Sequence, residues 1–291
     1  MLRSGHGVAP FVTVLVLALG ILCLTYGAAD TGAGPLKNGE VRGELITYGP
    51  APSQFGELWV PETNSTSLPV VVMIHGGFWN RQGGNRSLMS PLAEVVFDSG
   101  FAVWNIEYGR VGERSGGWPH TFNHVAAAVD HVSVLSGSYG LDADRVAVLG
   151  HSAGGHLAIW AGGRDALRPG DPGADPIILP SLVIGLAPIR DLQLAATDGL
   201  GNDAVAKLLG GQPQDVADRY RVASAGADGA VLVITGADDD TVPAKYTLGP
   251  SAGGDPSVAP VDHLGLISAD GSAKSLVLDM LTRWQSNGNN R

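Results

Sequence analysis

Residues 145–160, RVAVLGHSAGGHLAIW, contain the pattern that decides the fold. The apolar run Val146 to Leu149 leads straight into a glycine-rich turn, and helix-compatible residues follow it. A strand, a sharp turn and a helix form the context in which G-x-S-x-G presents a serine nucleophile. Gly150 and Gly154 stand where a Cβ would crowd the strand and the helix. Since the chain has 42 glycines in 291 residues, this context, rather than the motif alone, predicts a nucleophilic Ser152 instead of a structural turn.

Further apolar runs alternate with helical patterns along the chain. Continuous runs of this kind are typical of buried parallel strands, and the alternation predicts an α/β fold with a mostly parallel central sheet and helices on both faces. The runs are Val70–Ile74, Phe101–Ile106, Leu182–Leu186 and Ala230–Thr235. Two earlier segments, Glu40–Tyr48 and Phe55–Pro61, flank a Gly-Pro-rich turn and predict an antiparallel hairpin at a sheet edge.

Helical spacing and turn residues place the remaining elements. A helix is predicted from the apolar face of residues 120–135, and a short final strand is expected at Val258–Val261. The other predicted helices begin at a favourable proline or show an amphipathic pattern. They are Pro91–Phe97, Asp203–Leu209, Gln214–Val222 and Lys274–Trp284.

The first 29 residues have the composition of a secretory signal peptide. A short basic start precedes an apolar run from Val8 to Leu24, and Gly27 and Ala29 fit a small-x-small cleavage site. We therefore expect residues 1–29 to be a cleaved signal peptide and residues 30–291 to form a single domain in a secreted or cell-envelope protein. An uncleaved N-terminal membrane anchor is the alternative, because the run approaches the length of a spanning helix.

Charge and cysteine content exclude several classes of function. The formal net charge is −10 and the basic residues are scattered, so nucleic acid is not an expected partner. Cys23 is the only cysteine, which leaves the mature chain without a disulfide or a cysteine-based metal site. His120 and His124 have the spacing of metal ligands on a helix, but no H-E-x-x-H pattern accompanies them. We expect neither a metal nor a cofactor, and membrane contact only through an uncleaved N-terminal segment.

A serine nucleophile needs a base and an orienting carboxylate, which follow it in the order Ser, Asp or Glu, His when the serine lies in this kind of turn. His263 is the histidine that follows the last predicted strand, so it is the candidate base. Asp238, Asp239 and Asp240 all lie in the loop after the preceding strand and compete for the role of the carboxylate.

Backbone donors for an oxyanion are predicted from two segments. The Ala153 N–H follows the nucleophile, and the glycines in His75-Gly76-Gly77 allow a close approach of the backbone to a substrate carbonyl. Phe78 and Trp118 lie in loops that would border a substrate pocket, although core packing is as good an explanation for an aromatic side chain.

Several motifs together resemble the α/β-hydrolase superfamily, and more narrowly its HGGxW group of kynurenine formamidase-like arylformamidases and small carboxylesterases. The motifs are HGGFW, NIEYGRVG, GGWP, GHSAGGH, GADDDTVP and the DH-L-LI of residues 262–267. The resemblance covers Val70 to Gly163 well, and it implies Ser152, Asp239 and His263 as the triad. Gly109 departs from the group, which usually has arginine there, and Leu264 replaces an aromatic residue.

The resemblance implies hydrolysis of a small-molecule ester through an acyl-enzyme. Hydrolysis of an aryl formamide by the same three residues is the alternative, and a non-catalytic hydrolase-like binding protein is a third possibility. An intact set of Ser152, Asp239 and His263 argues against the third.

Overall fold

The computed structural model describes Met1 and residues 40–63, 65, 67–226, 231–247 and 256–288. The chain divides into two units, Met1–Gly32 and Ala33–Arg291, and all helices and strands given below belong to the second. The predicted signal peptide lies outside the described residues except for Met1, so it stays a prediction. In the described ranges, no helix combines the length and the apolarity needed to cross a membrane.

The described strands form one sheet in the order β1-β2-β4-β3-β5-β6-β7-β8. They are β1 (Val41–Thr47), β2 (Phe55–Val60), β3 (Leu68–Ile74), β4 (Ala102–Ile106), β5 (Leu141–His151), β6 (Leu182–Leu186), β7 (Val231–Gly236) and β8 (Ser257–Ala259). All pairs from β4 to β8 are parallel. The hairpin of β1 and β2 is antiparallel, and β2 also pairs antiparallel with β4. The mostly parallel sheet and the edge hairpin are thus confirmed.

Helices cover both faces of the central strands. Side chains alternate between the two faces of a strand, yet every residue of β3, β4 and β6 is buried, so neither face of these strands meets solvent. The helices are α1 (Ser90–Asp98), α2 (His120–Asp130), α3 (Val132–Tyr139), α4 (Ala153–Gly162), α5 (Leu192–Thr197), α6 (Leu200–Leu209), α7 (Ala217–Ala223), α8 (Ala244–Thr247) and α9 (Ser272–Gly288). This is the architecture of the α/β-hydrolase fold.

The single helix predicted over residues 120–135 is wrong, because the chain forms α2 and α3 with His131 between them. The Ser133 hydroxyl donates to the Asp130 carbonyl at 2.6 Å and competes with the main-chain ladder. The Asp130 carboxylate also accepts from Arg164 and from the backbone N–H groups of Ile177 and Ile178, which ties the end of α2 to a distant loop.

Three other element predictions need correction. Helix α5 was not predicted, although Asp191 caps it by accepting from the Leu194 N–H at 2.9 Å. Helix α6 begins before residue 203 through a left-handed turn, in which Gly201, Asn202 and Asp203 all have φ near 60°. The last strand ends at Ala259 rather than at residue 261, because a proline at the next position has no N–H for the ladder.

The parallel strands place their carboxyl ends at one edge of the sheet. His75 follows β3, His151 ends β5, and Gly236 ends β7 next to β8. Open parallel sheets bind ligands at this edge. The topology therefore collects the predicted site residues into one region.

Substitution of Leu149 tests how much the core beneath this edge contributes to the stability of the fold. It lies near the carboxyl end of β5, fully buried, and its substitution by alanine is expected to lower the free energy of unfolding by about 2–5 kcal/mol. Leu45 on the edge strand β1 is 60% exposed, and Leu45→Ala should change that free energy by less than about 0.5 kcal/mol. Denaturant unfolding measures both. Equal losses would show that β5 is not the centre of the core.

Candidate active site

Ser152 sits at the apex of a strained turn between β5 and α4. Its φ of 58° and ψ of −123° are unusual for a residue with a side chain, and its N–H donates to the Leu186 carbonyl at 2.7 Å. A Cβ on Gly150 would lie 2.0 Å from the Gly154 carbonyl oxygen. A Cβ on Gly154 would lie 2.2 Å from the Ile74 carbonyl oxygen. The glycines therefore permit the contact of strand, helix and neighbouring strand that gives this turn its shape.

The segment after β3 packs against the same turn. A Cβ on Gly76 would lie 3.0 Å from the Ser152 Cβ, so the glycine brings the backbone close to the serine. Gly77 has φ of 109°, and Phe78 and Trp79 also have positive φ values, 52° and 53°. Such strain persists only where surrounding contacts hold it.

Trp79 supplies one of those contacts. Its ring is fully buried, and its Nε1–H donates to the Ala153 carbonyl at 3.0 Å. Ala153 is the first residue of α4, so its own N–H has no acceptor within the helix. Trp79 thus joins the two segments whose N–H groups, on Gly76, Gly77 and Ala153, are predicted to face an oxyanion.

His263 and Asp239 form a direct pair on the loops after β8 and β7. The two atoms His263 Nδ1 and Asp239 Oδ2 are 2.7 Å apart, and the Asp239 side chain is only 3% exposed. Asp239 Oδ1 accepts from the N–H groups of Thr241 and Val242 at 3.0 and 2.8 Å. The carboxylate is therefore fixed at both oxygens and orients the imidazole.

The three consecutive aspartates have different surroundings. Asp238 and Asp240 are exposed, whereas the Asp239 carboxylate contacts His263. Burial raises the pKa of Asp239, but the hydrogen bond and charge of His263 and the two backbone N–H groups outweigh it, so the pKa is lowered overall. An ionised carboxylate can hold the Nδ1–H tautomer of His263, which leaves Nε2 free to accept a proton.

The structure brings Ser152 and His263 into the same region without a hydrogen bond between their side chains. Their neighbours are in contact, because the His151 and His263 ring centroids are 4.4 Å apart. Catalytic hydrogen bonds are commonly long before a substrate binds. The arrangement contains the three parts that a serine nucleophile requires at one edge of the sheet.

Glu107 was missed by the sequence prediction, although it directly follows β4 at the same edge. Its Oε1 lies 2.9 Å from His75 Nε2, and both side chains are almost completely buried. The Tyr108 hydroxyl donates to the His75 carbonyl at 2.9 Å, and the two rings are stacked. The Tyr48 hydroxyl donates to the Glu107 carbonyl. Together these residues hold His75, and with it the start of the glycine segment.

Burial raises the pKa of the Glu107 carboxyl. Four interactions together lower this pKa by more: the hydrogen bond with His75, the charge of His75, the charge of Arg110 and the hydrogen bond from the Arg86 N–H. The net pKa is below the ordinary value. Ionised Glu107 therefore stabilises the folded state.

Phe78 and Trp118 are both partly exposed in loops near the site. Phe78 packs on Gly201, where a Cβ would lie 2.5 Å from the ring. The Trp118 ring packs edge-on against Phe122, at a centroid distance of 5.3 Å, and the backbone N–H of Trp118 donates to the Leu208 carbonyl. Both aromatic residues thus line the junction with α6, and their contact with a substrate stays a prediction.

On α2, His124 is engaged in a hydrogen bond with the backbone, whereas His120 is exposed. His124 Nδ1 accepts from the Gly109 N–H at 3.0 Å. A Cβ on Gly109 would lie 2.0 Å from the Ser115 carbonyl oxygen, so this loop conformation excludes a side chain at position 109. Among the residues that the structure describes, no three His, Cys, Asp or Glu side chains are grouped so as to hold a metal ion.

A comparison with protein-family models matches residues 57–248 to BD-FAE, which is more than half of the chain. The chain belongs to the BD-FAE family. The matched range contains Ser152 and Asp239 and ends before His263.

Curated relatives of this BD-FAE protein include esterases. The probable carboxylic ester hydrolase LipM of Mycobacterium tuberculosis is 37% identical over 113 residues, 38% of this chain and 24% of LipM. Zebrafish (Danio rerio) kynurenine formamidase is 27% identical over 135 residues, 42% of each chain. The chain thus covers about a quarter of LipM and under half of the formamidase.

Solved structures agree on the fold. A truncated carbohydrate esterase from gut microbiota matches 87% of this chain and 99% of its own, with a TM-score of 0.70 and 20% identity. Esterase B of Lactobacillus rhamnosis matches 85% of this chain and 88% of its own, with a TM-score of 0.67 and 21% identity. At this identity the likeness shows the α/β-hydrolase fold.

The buried Glu107 predicts a pH-dependent stability. Because its pKa is lower in the folded state, its contribution is complete above the unfolded-state pKa and is lost as the pH falls through the folded-state pKa. Glu107→Gln is expected to cost about 1–3 kcal/mol at pH 7, and the cost should shrink as the pH falls below about 4. Denaturant unfolding at several pH values measures it.

Glu94→Gln is the matched control, because Glu94 is exposed on α1. It should change the free energy of unfolding by less than about 0.5 kcal/mol at each pH. A Glu107→Gln cost that stays constant from pH 7 to pH 3 would contradict the assignment.

Proposed function

We propose that the protein is a serine hydrolase that cleaves small carboxylic esters through an acyl-enzyme. The observation that carries the proposal is the Asp239–His263 pair at the sheet edge that also presents Ser152 on its strained turn. In such a pair, the carboxylate holds the imidazole in the tautomer and orientation that can accept the serine proton. The esterases among the relatives support the same reaction class.

In the proposed first half-reaction, His263 Nε2 removes the Ser152 Oγ proton as Oγ attacks the ester carbonyl carbon. The carbonyl electrons move to the oxygen, and the tetrahedral oxyanion forms. When it collapses, the bond to the leaving alcohol oxygen breaks, and the His263 imidazolium returns its proton to that oxygen. Asp239 stabilises the imidazolium and keeps its ring oriented.

In the second half-reaction, water takes the place of the alcohol. His263 removes a proton from water as its oxygen attacks the acyl-enzyme, and the proton then passes to Ser152 Oγ as the acid leaves. The N–H groups of Ala153 and Gly77, with Gly76 beside them, are proposed to donate to the oxyanion in both halves. Loss of one such donor costs about 3–4 kcal/mol of transition-state stabilisation in comparable sites.

The substrate pocket is proposed to be bordered by Phe78 and Trp118, which suits a small molecule with an apolar part. The charge of −10 disfavours polyanionic partners. Export to the cell envelope or the medium, expected from residues 1–29, stays a prediction.

Ser152→Ala tests the nucleophile. Wild-type protein is expected to hydrolyse short-chain p-nitrophenyl esters, and the variant should lose at least about 10⁴-fold in kcat. A fluorophosphonate probe should label the wild type at Ser152 and leave the variant unlabelled. Absence of both turnover and labelling in the wild type would favour a non-catalytic binding protein.

Asparagine substitutions test the carboxylate. Asp239→Asn is expected to lower kcat by about 10⁴-fold, because the amide no longer favours the Nδ1–H tautomer of His263. Asp238→Asn and Asp240→Asn are the matched controls, since both side chains are exposed, and should retain nearly full kcat. A loss that follows residue 238 or 240 would contradict the assignment.

Hydrolysis of an aryl formamide is the second candidate, favoured by the similarity to kynurenine formamidase. Ser152 Oγ would attack the formyl carbon, the C–N bond would break as His263 protonates the leaving aryl amine, and water would then release formate from the formyl-enzyme. The ratio of kcat/KM for N-formylkynurenine and phenyl acetate distinguishes the candidates. A ratio above one would replace the ester by the formamide as the preferred substrate.

A further inference from the structure

His151 precedes the nucleophile and contacts the base. Its side chain is on β5, 2% exposed, and its Nε2 lies 2.9 Å from the backbone carbonyl oxygen of His263. The rings are inclined by 47° at a centroid distance of 4.4 Å. The two residues are 112 positions apart in the chain. This contact is therefore a tertiary link between the nucleophile strand and the loop of the base.

The His263 loop depends on such links, because the described elements on both sides of it are short. Strand β8 has three residues, and a short 3-10 helix begins directly after His263. Before His263 in the chain, the Val261 carbonyl accepts from the Asp238 N–H at 3.2 Å. Across His263, the Asp262 side chain accepts from the Gly265 N–H at 2.7 Å. At the base itself, Asp239 holds the ring and His151 holds the backbone.

The hydrogen bond fixes the tautomer of His151. A carbonyl oxygen only accepts, so Nε2 carries the proton and Nδ1 presents a lone pair. The Nδ1 atom is buried and has no hydrogen-bond partner among the described residues. Protonation of Nδ1 would create a buried N–H without an acceptor, which is costly.

His151 therefore remains neutral when its neighbour becomes charged. Burial and the charge of His263 lower the pKa of His151 to about 3. A second cation 4.4 Å from His263 would oppose the imidazolium that forms during the reaction. A neutral ring provides an N–H donor in this position without that repulsion.

We propose that His151 is a positioning residue, whose neutral imidazole holds the backbone of His263 and thereby sets the distance and direction of the base relative to Ser152. This role extends the proposed function and rests on it wherever kcat is the quantity measured. It assigns to the residue before the serine a role in aligning the base, which neither the motif nor the triad defines.

Two amide variants test the hydrogen bond. In His151→Gln the amide N–H reaches approximately the place of Nε2, whereas in His151→Asn it is about one bond length too short. The Asn variant is expected to lose about 10- to 100-fold in kcat for a p-nitrophenyl ester, because misplacement of a catalytic group by about 1 Å has costs of this order. KM should change little, and Gln should restore most of kcat.

A spectroscopic measurement separates positioning from general destabilisation. The low-field proton resonance of His263 Nδ1–H, hydrogen-bonded to Asp239, should be retained in the Gln variant and be broadened or lost in the Asn variant. It needs no substrate, so it tests the positioning even if the wild type hydrolyses no ester. If the Asn variant does not fold, His151→Met, which fills space without an N–H, takes its place with the same expectation.

His131→Phe is the control for the loss of a partly buried histidine away from the site, since His131 lies between α2 and α3. It should leave kcat and the low-field resonance unchanged. Equal kcat and equal resonances in the Gln and Asn variants would overturn the proposal. A loss of kcat in both variants with the resonance intact would overturn it as well, because the base would then be aligned without the His151 N–H.

Discussion

The close contact among β3, β5 and α4 at Ser152 is the constraint on which the site depends. Strand, helix and neighbouring strand approach so closely that side chains at Gly150 and Gly154 would overlap backbone oxygens. This approach forces the positive φ of Ser152 and leaves the Ala153 N–H at a helix N-terminus. Gly76 extends the same close packing to the segment after β3. The proposed nucleophile and the proposed oxyanion donors are thus parts of one packing arrangement.

Two buried carboxylate–histidine pairs accompany this arrangement. Glu107 contacts His75 at the start of the glycine segment, and Asp239 contacts His263, the proposed base. In both carboxylates, burial raises the pKa and hydrogen bonds lower it further, so that the net pKa falls. An ionised carboxylate is retained in a buried place only when such donors compensate for lost water. The first pair holds the start of the strained segment, and the second orients the proposed base.

His263, the proposed base, follows β8, the shortest strand in the described part of the sheet. Strand β8 has three residues, and the carboxyl-terminal half of β7 pairs with it on one side. Hydrogen bonds from side chains compensate for this short strand, because they tie the His263 loop to β5 and to the loop after β7. The position of His263 therefore depends on these few contacts. The backbone of Ser152, in contrast, is restrained by the whole core.

The sequence by itself determined the strand–turn–helix at Ser152, the mostly parallel sheet and the order of the candidate residues, because local patterns of apolar residues and glycines encode backbone conformation. It left three aspartates open until a family resemblance favoured Asp239. Only the tertiary structure showed which carboxylate meets His263. It also revealed Glu107 and His151, whose partners are distant in the chain. Such pairs depend on strand order and register, which no local pattern contains, and on side-chain contacts that form only once the sheet is assembled.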